Sequence, residues 1–382
     1  MDAKATAAVQ ALLDELVADG TELGLQAVVY RNGEVVIDAA AGIADRESGR
    51  PVDGDTLFTV FSVSKGVTAT CIHLLAERGR LSYDDPIARY WPAFAAEGKG
   101  QVTIRDALTH RAGLPHLPEG ITPEGLCDWE GVCDGIAALS PLWEPGTETG
   151  YHAYSFGWIL GEVLRRIDGR PIATFVQEEI CAPINAPDIY FGIPDAVESR
   201  VATLENAPRP EGMPLPPPDA LILRAIPPEV GTTGQVFNRA DVRRAAIPAA
   251  GGIMSARSLA RHYAALIGEV DGVRLLPAER IAAATALQTD ATDVVIGVPT
   301  RKGLGYFLGG PRSPMSERIS AFGHPGAGGS IGFADPEYGL AVGFTKNMLR
   351  AALDPTQASA YRVGQKIREA LGIPSAEEVA SH

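Results

Sequence analysis

Cysteine is scarce in this chain, long apolar runs are missing, and lysine is far outnumbered by arginine. Each shortage excludes something. Four cysteines (Cys71, Cys127, Cys133, Cys181) in 382 residues are too few for a disulfide framework and are expected as reduced thiols. His110 with His116, and Cys127 with Cys133, are each separated by five residues, wider than the ligand spacing of structural zinc. Buried or loop roles fit them better, and no metal or organic cofactor is expected. No apolar segment approaches the roughly 20 residues that span a bilayer. The start, Met1 to Lys4 followed by Leu12, Leu13, Asp14, Glu15 and Leu16, reads as an acidic amphipathic helix rather than an export signal. A cytoplasmic location is the expectation. Positive charge is also short: the net charge is −14 without a basic stripe, which argues against nucleic acid and membrane as partners. Oligomeric state is not readable.

What is present is ordinary in bulk, 46% apolar and 21% charged, with length enough for two or three domains. Helical residues at about 3 to 19 lead into a hairpin whose arms, Leu25 to Tyr30 and Glu34 to Ala40, flank Arg31-Asn32-Gly33, a tight-turn signal. Asp84-Asp85-Pro86 suggests a helix start with proline in its first turn. Thr103 to His110 and Ser155 to Ile167 also read as helices. Residues 207 to 219 hold six prolines and form either a pocket rim or a surface excursion. From about Gly303 short strands alternate with glycine: Leu304 to Leu308, Ile319 to Gly323, Ser330 to Ala334 and Leu340 to Thr345, before a helix from Ser359 to Leu371. The fold class expected is α+β. Residues 1–60 and 300–382 would build one antiparallel sheet flanked by terminal helices, and 61–299 a helix-rich lobe, with the active site between them.

The chemistry concentrates in Ser62-Val63-Ser64-Lys65. An apolar, β-prone run (Leu57, Phe58, Val60, Phe61) stops at Ser62, and a helix-compatible run from Val67 to Arg78 follows. Ser62 therefore stands at a helix mouth with Lys65 one turn on, where a field favouring negative charge and a neighbouring amine both activate a hydroxyl. The alternative is a capping serine with a surface lysine. Against it, the chain holds six lysines to twenty-seven arginines, and only lysine can surrender its proton on burial. Tyr151, after the Pro145-Gly146 turn, is a candidate second proton-sharing group, with Tyr154 in competition. The stretch Gly323-His324-Pro325-Gly326-Ala327-Gly328-Gly329-Ser330 permits close backbone approach to a ligand. Gly328 to Gly332 also satisfies G-x-S-x-G, but only His382 follows Ser330, so the nucleophile-elbow reading fails.

Taken in order, these elements resemble the serine β-lactamase and penicillin-binding-protein superfamily, most closely its class C-like branch of family VIII carboxylesterases. The resemblance runs from about residue 20 to 350 and includes Tyr83 to Pro86 and Thr103 to Leu114. It implies a β-lactamase-like fold, Ser62 as nucleophile, Lys65 as its partner, and Tyr151 as the tyrosine of Y-x-N. Gly157 fits that register and favours Tyr151 over Tyr154. The backbone N–H groups of Ser62 and Ala327 would form the oxyanion hole. K-T-G maps to His324-Pro325-Gly326. Two departures bear on substrate: Ala153 replaces the asparagine of Y-x-N, and His324 replaces a permanent cation. His324, Gly326, His152 and Ala153 are the expected substrate-side residues, with a core or hairpin role equally open for either histidine. Hydrolysis of a small uncharged ester follows, with a β-lactamase, D-amino-acid peptidase, amidase, acyltransferase or catalytically silent scaffold as alternatives.

Overall fold

The computed structural model describes residues 1–311, 313 and 315–374; His382 lies outside them. Seven strands form one antiparallel sheet. Three come from the start of the chain: β1 (Gly24–Arg31), β2 (Glu34–Asp45) and β3 (Arg50–Pro51). Four come from the end: β4 (Phe307–Leu308), β5 (Phe322–Pro325), β6 (Ile331–Asp335) and β7 (Leu340–Lys346). Their order is β3-β2-β1-β7-β6-β5-β4, and β1 pairs with β7 with Val28 opposite Gly343, so the two ends meet at the centre. Asn32 and Gly33 both take positive φ, the backbone that a two-residue hairpin requires.

Period-two alternation sorts the central strands between two cores. Leu25, Ala27 and Val29 of β1, with Val342 and Phe344 of β7, face the helices Ala3–Ala18 and Ser359–Ala370. Val28, Tyr30 and Ala341 face the other way, into a core shared with the helix Ala256–Ile267 and much of the helical region. That helix, from the stretch expected as the middle lobe, thus packs on the sheet. A second sheet joins Phe58–Phe61 to Gly252–Met254 and Ile189–Phe191. From it emerges the helix Ser64–Glu77, buried on every face from Ser64 to Ala76.

Local expectations changed in two places, and an open alternative closed in a third. Pro86 is extended and only caps a 3-10 turn, Ile87–Arg89, because Ile87 N–H bonds to Val102 O across a bridge between Pro86 and Thr103. The strand expected from Leu304 shrinks to Phe307–Leu308, since Gly305 takes φ 79 and turns its N–H to Leu108 O. The proline-rich segment is a surface excursion with Leu215 76% exposed. It delivers the short helix Leu221–Ala225 to the cleft described below. Among the described residues, no helix is long and apolar enough to cross a membrane.

Candidate active site

Ser62 is presented by a kink. The preceding residue, Phe61, has φ 47, a left-handed backbone that bulky L-residues avoid. Its surroundings hold it there: the ring meets Phe237 edge-on at 4.9 Å, and its carbonyl accepts from Ser64 Oγ at 2.5 Å. Ser64 Oγ in turn accepts the N–H of Gly252 at 2.9 Å. The chain thus leaves the strand sharply, and Ser62 stays partly exposed between buried Phe61 and Val63.

Lys65 lies fully buried beneath it. Its Nζ is 3.1 Å from Ser62 Oγ, 2.7 Å from Ala153 O and 2.9 Å from Ala249 O, and 4.7 Å from the Tyr151 ring centroid. Burial without a paired carboxylate drives its pKa well below the ordinary lysine range. A neutral amine has two N–H bonds and one lone pair. Two carbonyls, which only accept, claim the N–H bonds, so the lone pair is left for the hydroxyl of Ser62. Ala249 reaches this position because Gly157 lacks a side chain: a Cβ there would lie 2.4 Å from Ala249 N.

Tyr151 enters from the other side. Burial raises its pKa above the usual phenol range, hydrogen bonding with Ser62 offsets part of that rise, and the charge of Asp293 adds to it. The phenol is therefore protonated at neutral pH. Tyr154 is withdrawn from competition, its hydroxyl donating to Val230 O at 2.5 Å.

The remaining expected residues divide. His324, on β5, donates from Nδ1 to Pro325 O at 2.7 Å, so Nε2 is a bare acceptor; it is buried and has no hydrogen-bond partner among the described residues. Burial, the largest cause, lowers its pKa to about 3, so no cation stands here at neutral pH. Gly326 must be glycine: a Cβ would sit 2.2 Å from Val60 O, in the strand that presents Ser62. Ala327 opens a single 3-10 turn, Ala327–Gly329, where the first N–H has no acceptor within its own turn. Ala153 lines the cleft. His152 does not, contrary to expectation. Its Nε2 accepts from Leu114 N–H at 3.0 Å and its Nδ1 donates to Gly150 O at 2.6 Å, leaving nothing for a substrate. Ser330 is buried, and its Oγ accepts from Lys346 N–H at 3.2 Å. Among the described residues, no group of three or more histidines, cysteines or carboxylates is placed to hold a metal ion.

Ser62, Tyr151, Ala153, His324, Gly326 and Ala327 converge on a cleft of about 260 Å³. Ile222, Ile226, Ile296 and Phe307 supply apolar wall, and no lining side chain is charged at neutral pH. Sequence reasoning missed these four, together with Ala249 O and the buried pair Asp293–Lys302, whose Oδ2 and Nζ are 2.6 Å apart. A signal for Lys302 existed in the scarcity of lysine; none marked the others.

Comparison with known proteins places the chain in a family. The Beta-lactamase family profile matches residues 9–363, and the chain belongs to that family. It is 35% identical over 346 residues to the esterase/beta-lactamase LipL of Mycobacterium tuberculosis, covering 87% of this chain and 79% of LipL. The crystal structure of a family VIII carboxylesterase superposes with a TM-score of 0.88 at 32% identity, over 97% of this chain and 98% of that one. A penicillin-binding-protein homologue from Caulobacter crescentus superposes at 0.87 with 36% identity, again over 97% and 98%.

Proposed function

We propose that the chain hydrolyses small uncharged carboxylic esters through an acyl-enzyme on Ser62. One observation carries the reading: a buried amine nitrogen without a carboxylate partner, held by two backbone carbonyls, lies 3.1 Å from a partly exposed serine hydroxyl in an uncharged cleft. The Lys65 lone pair takes the Ser62 proton as Oγ adds to the ester carbonyl. The N–H groups of Ser62 and Ala327 hold the oxyanion, each such donor typically contributing about 2.7–4 kcal/mol. Tyr151, which its raised pKa keeps protonated at neutral pH, gives that proton to the departing alkoxide and recovers one from Lys65. Water reverses the path: its proton passes to Tyr151 as Tyr151 passes its own to Lys65, which returns it to Ser62 when the acyl group leaves.

The substrate class follows from what the wall lacks. An anionic substrate would bury its carboxylate beside the bare Nε2 lone pair of His324, an acceptor facing an acceptor. The names of LipL, of the esterase EstB of Burkholderia gladioli, 33% identical over 280 residues, and of the carboxylesterase neighbour support ester cleavage. The test compares p-nitrophenyl butyrate with the β-lactam nitrocefin, and maps a fluorophosphonate adduct by mass spectrometry. A Ser62-dependent burst on the ester, weak β-lactam turnover and an adduct on Ser62 are expected. Equal efficiency on both substrates, or an adduct on Ser330, overturns the proposal. Four free cysteines, three of them buried, accord with a reducing compartment, and we place the reaction in the cytoplasm; fractionation of native cells checks this.

A further inference from the structure

The Asp293–Lys302 pair sits beside the cleft without touching it, and nothing in the reaction just described requires it. Asp293 is 0% and Lys302 1% exposed. Asp293 Oδ1 accepts three backbone N–H groups: Tyr151 at 3.0 Å, Val295 at 2.9 Å and Ile296 at 3.1 Å. Oδ2 takes Lys302 Nζ at 2.6 Å, and Nζ also donates to Thr149 Oγ1 at 2.8 Å. Bridges Thr289 to Lys302 and Thr292 to Pro299 make residues 289–302 a small hairpin, with Ile296 on the cleft. Val294 N–H closes the joint on Thr149 O at 2.9 Å. One carboxylate therefore ties the segment carrying the phenol to the hairpin carrying part of the acyl wall.

We propose that Asp293 and Lys302 are positioning residues that fix the Tyr151 phenol against the leaving-group oxygen. Stability alone is a poor reason for the pair, since a buried ion pair contributes little net free energy over well-packed apolar groups. What it supplies is geometry: one carboxylate oxygen gathers the Tyr151 and Ile296 amides while the other is held by Lys302, so the acceptor cannot turn away from either N–H. The other charged or titratable groups facing Tyr151 are Lys65, His110 and His324; none accepts a bond from its backbone N–H. A displacement near 1 Å at a proton donor costs about a hundredfold in rate. That cost falls only where the proton is needed: an alkoxide must be protonated to leave, whereas p-nitrophenolate departs without help.

The test builds on Ser62-dependent ester hydrolysis by the wild type; were that absent, the proposed function itself would fall, and not this joint. With it present, kcat/KM is measured on ethyl butyrate and on p-nitrophenyl butyrate. Asp293→Ala/Lys302→Met deletes the acceptor and both charges. Its ratio of ethyl to nitrophenyl ester activity is expected to fall at least about tenfold. Asp293→Asn/Lys302→Met keeps an acceptor for the Tyr151 N–H and is expected to hold the ratio within about threefold of wild type. A simple loss of folded enzyme lowers both substrates together and leaves the ratio alone. If the alanine variant does not fold, replacing Tyr151 by its α-hydroxy-acid analogue deletes the same N–H with every side chain in place, and must lower the ratio likewise. A wild-type ratio in whichever of these two folds, or an equal fall in the asparagine variant, overturns the proposal.

Discussion

The size of the cleft sets how much substrate it can cover, and that is open to a direct count. Its volume is about 260 Å³. At about 30 Å³ for a water-sized group, it encloses about nine non-hydrogen atoms. The ester group uses three, leaving about six carbons to divide between acyl and alcohol parts. Each methylene buried against Ile222, Ile226, Ile296 and Phe307 is worth at most about 0.8 kcal/mol, or about fourfold in kcat/KM. Carbons beyond the sixth lie in water and add nothing. A matrix of unactivated alkyl esters, methyl to octyl on each side and titrated at constant pH, should show a rise with total carbon number that breaks near six. Ile226→Ala removes three side-chain carbons from the wall and should move the break to about nine. The reasoning is refuted by a rise that continues through the longest esters, by a flat profile, or by a break that stays put in a folded Ile226→Ala protein.

Other expectations follow from single contacts. Ser330→Ala removes one buried acceptor for Lys346 N–H and should leave ester turnover and the fluorophosphonate adduct intact; loss of labelling would revive the rejected elbow. Lys65→Arg should be inactive at every pH in a steady-state assay, because a guanidinium cannot deprotonate. For Lys65→Met the sign is set by the lowered pKa: between that value and the ordinary lysine value, the unfolded chain binds more protons than the folded one. Wild-type stability should therefore gain on Lys65→Met as pH rises through that window, read from urea melts of both proteins; a pH-independent difference would count against a neutral buried amine. Gly326→Ala drives a methyl into Val60 O, 2.2 Å away, and should cost about 1–3 kcal/mol and slow acylation, as seen in melts and burst rates.

The parts of this site that were readable in the sequence are those fixed by a local period or a turn. Ser62 and Lys65 share a helix face because three residues make nearly one turn, and Tyr151 follows a proline-glycine turn that ends in a helix. The sheet was readable for a similar reason, since alternation and glycine-bounded strands appear at both ends of the chain. What escaped was backbone and distance. Every residue owns a carbonyl, so nothing in its side chain marks Ala249 as the acceptor that pins Lys65. Tyr151 and Asp293 are 142 positions apart, with no local pattern to link them. Phe61 reads as an ordinary strand residue, and its left-handed backbone is imposed by Ser64, Gly252 and Phe237 from elsewhere. His152 was misassigned by adjacency to Tyr151, when its ring turns the opposite way and braces the turn.

Lysine usage is the exception, a compositional signal that reached further than it was first taken. Of six lysines, four are buried: Lys65, Lys99, Lys302 and Lys346. Each has a different reason to be an amine. Lys99 gathers the carbonyls of Ala96 and Ala137, while Lys302 and Lys346 pair with Asp293 and Glu22. Arginine carries most surface pairing, as in Arg89 with Asp85 and Arg46 with Glu205. A guanidinium could take that surface work but not the interior positions, where a compact head must meet acceptors converging from several directions. Lys65 and Lys99 both lack a paired carboxylate, and of the two only Lys65 offers its remaining valence to a hydroxyl. Scarcity thus marks where an amine is needed, and the partner at the fourth position, carboxylate, carbonyl or hydroxyl, decides whether that amine holds the structure or moves a proton.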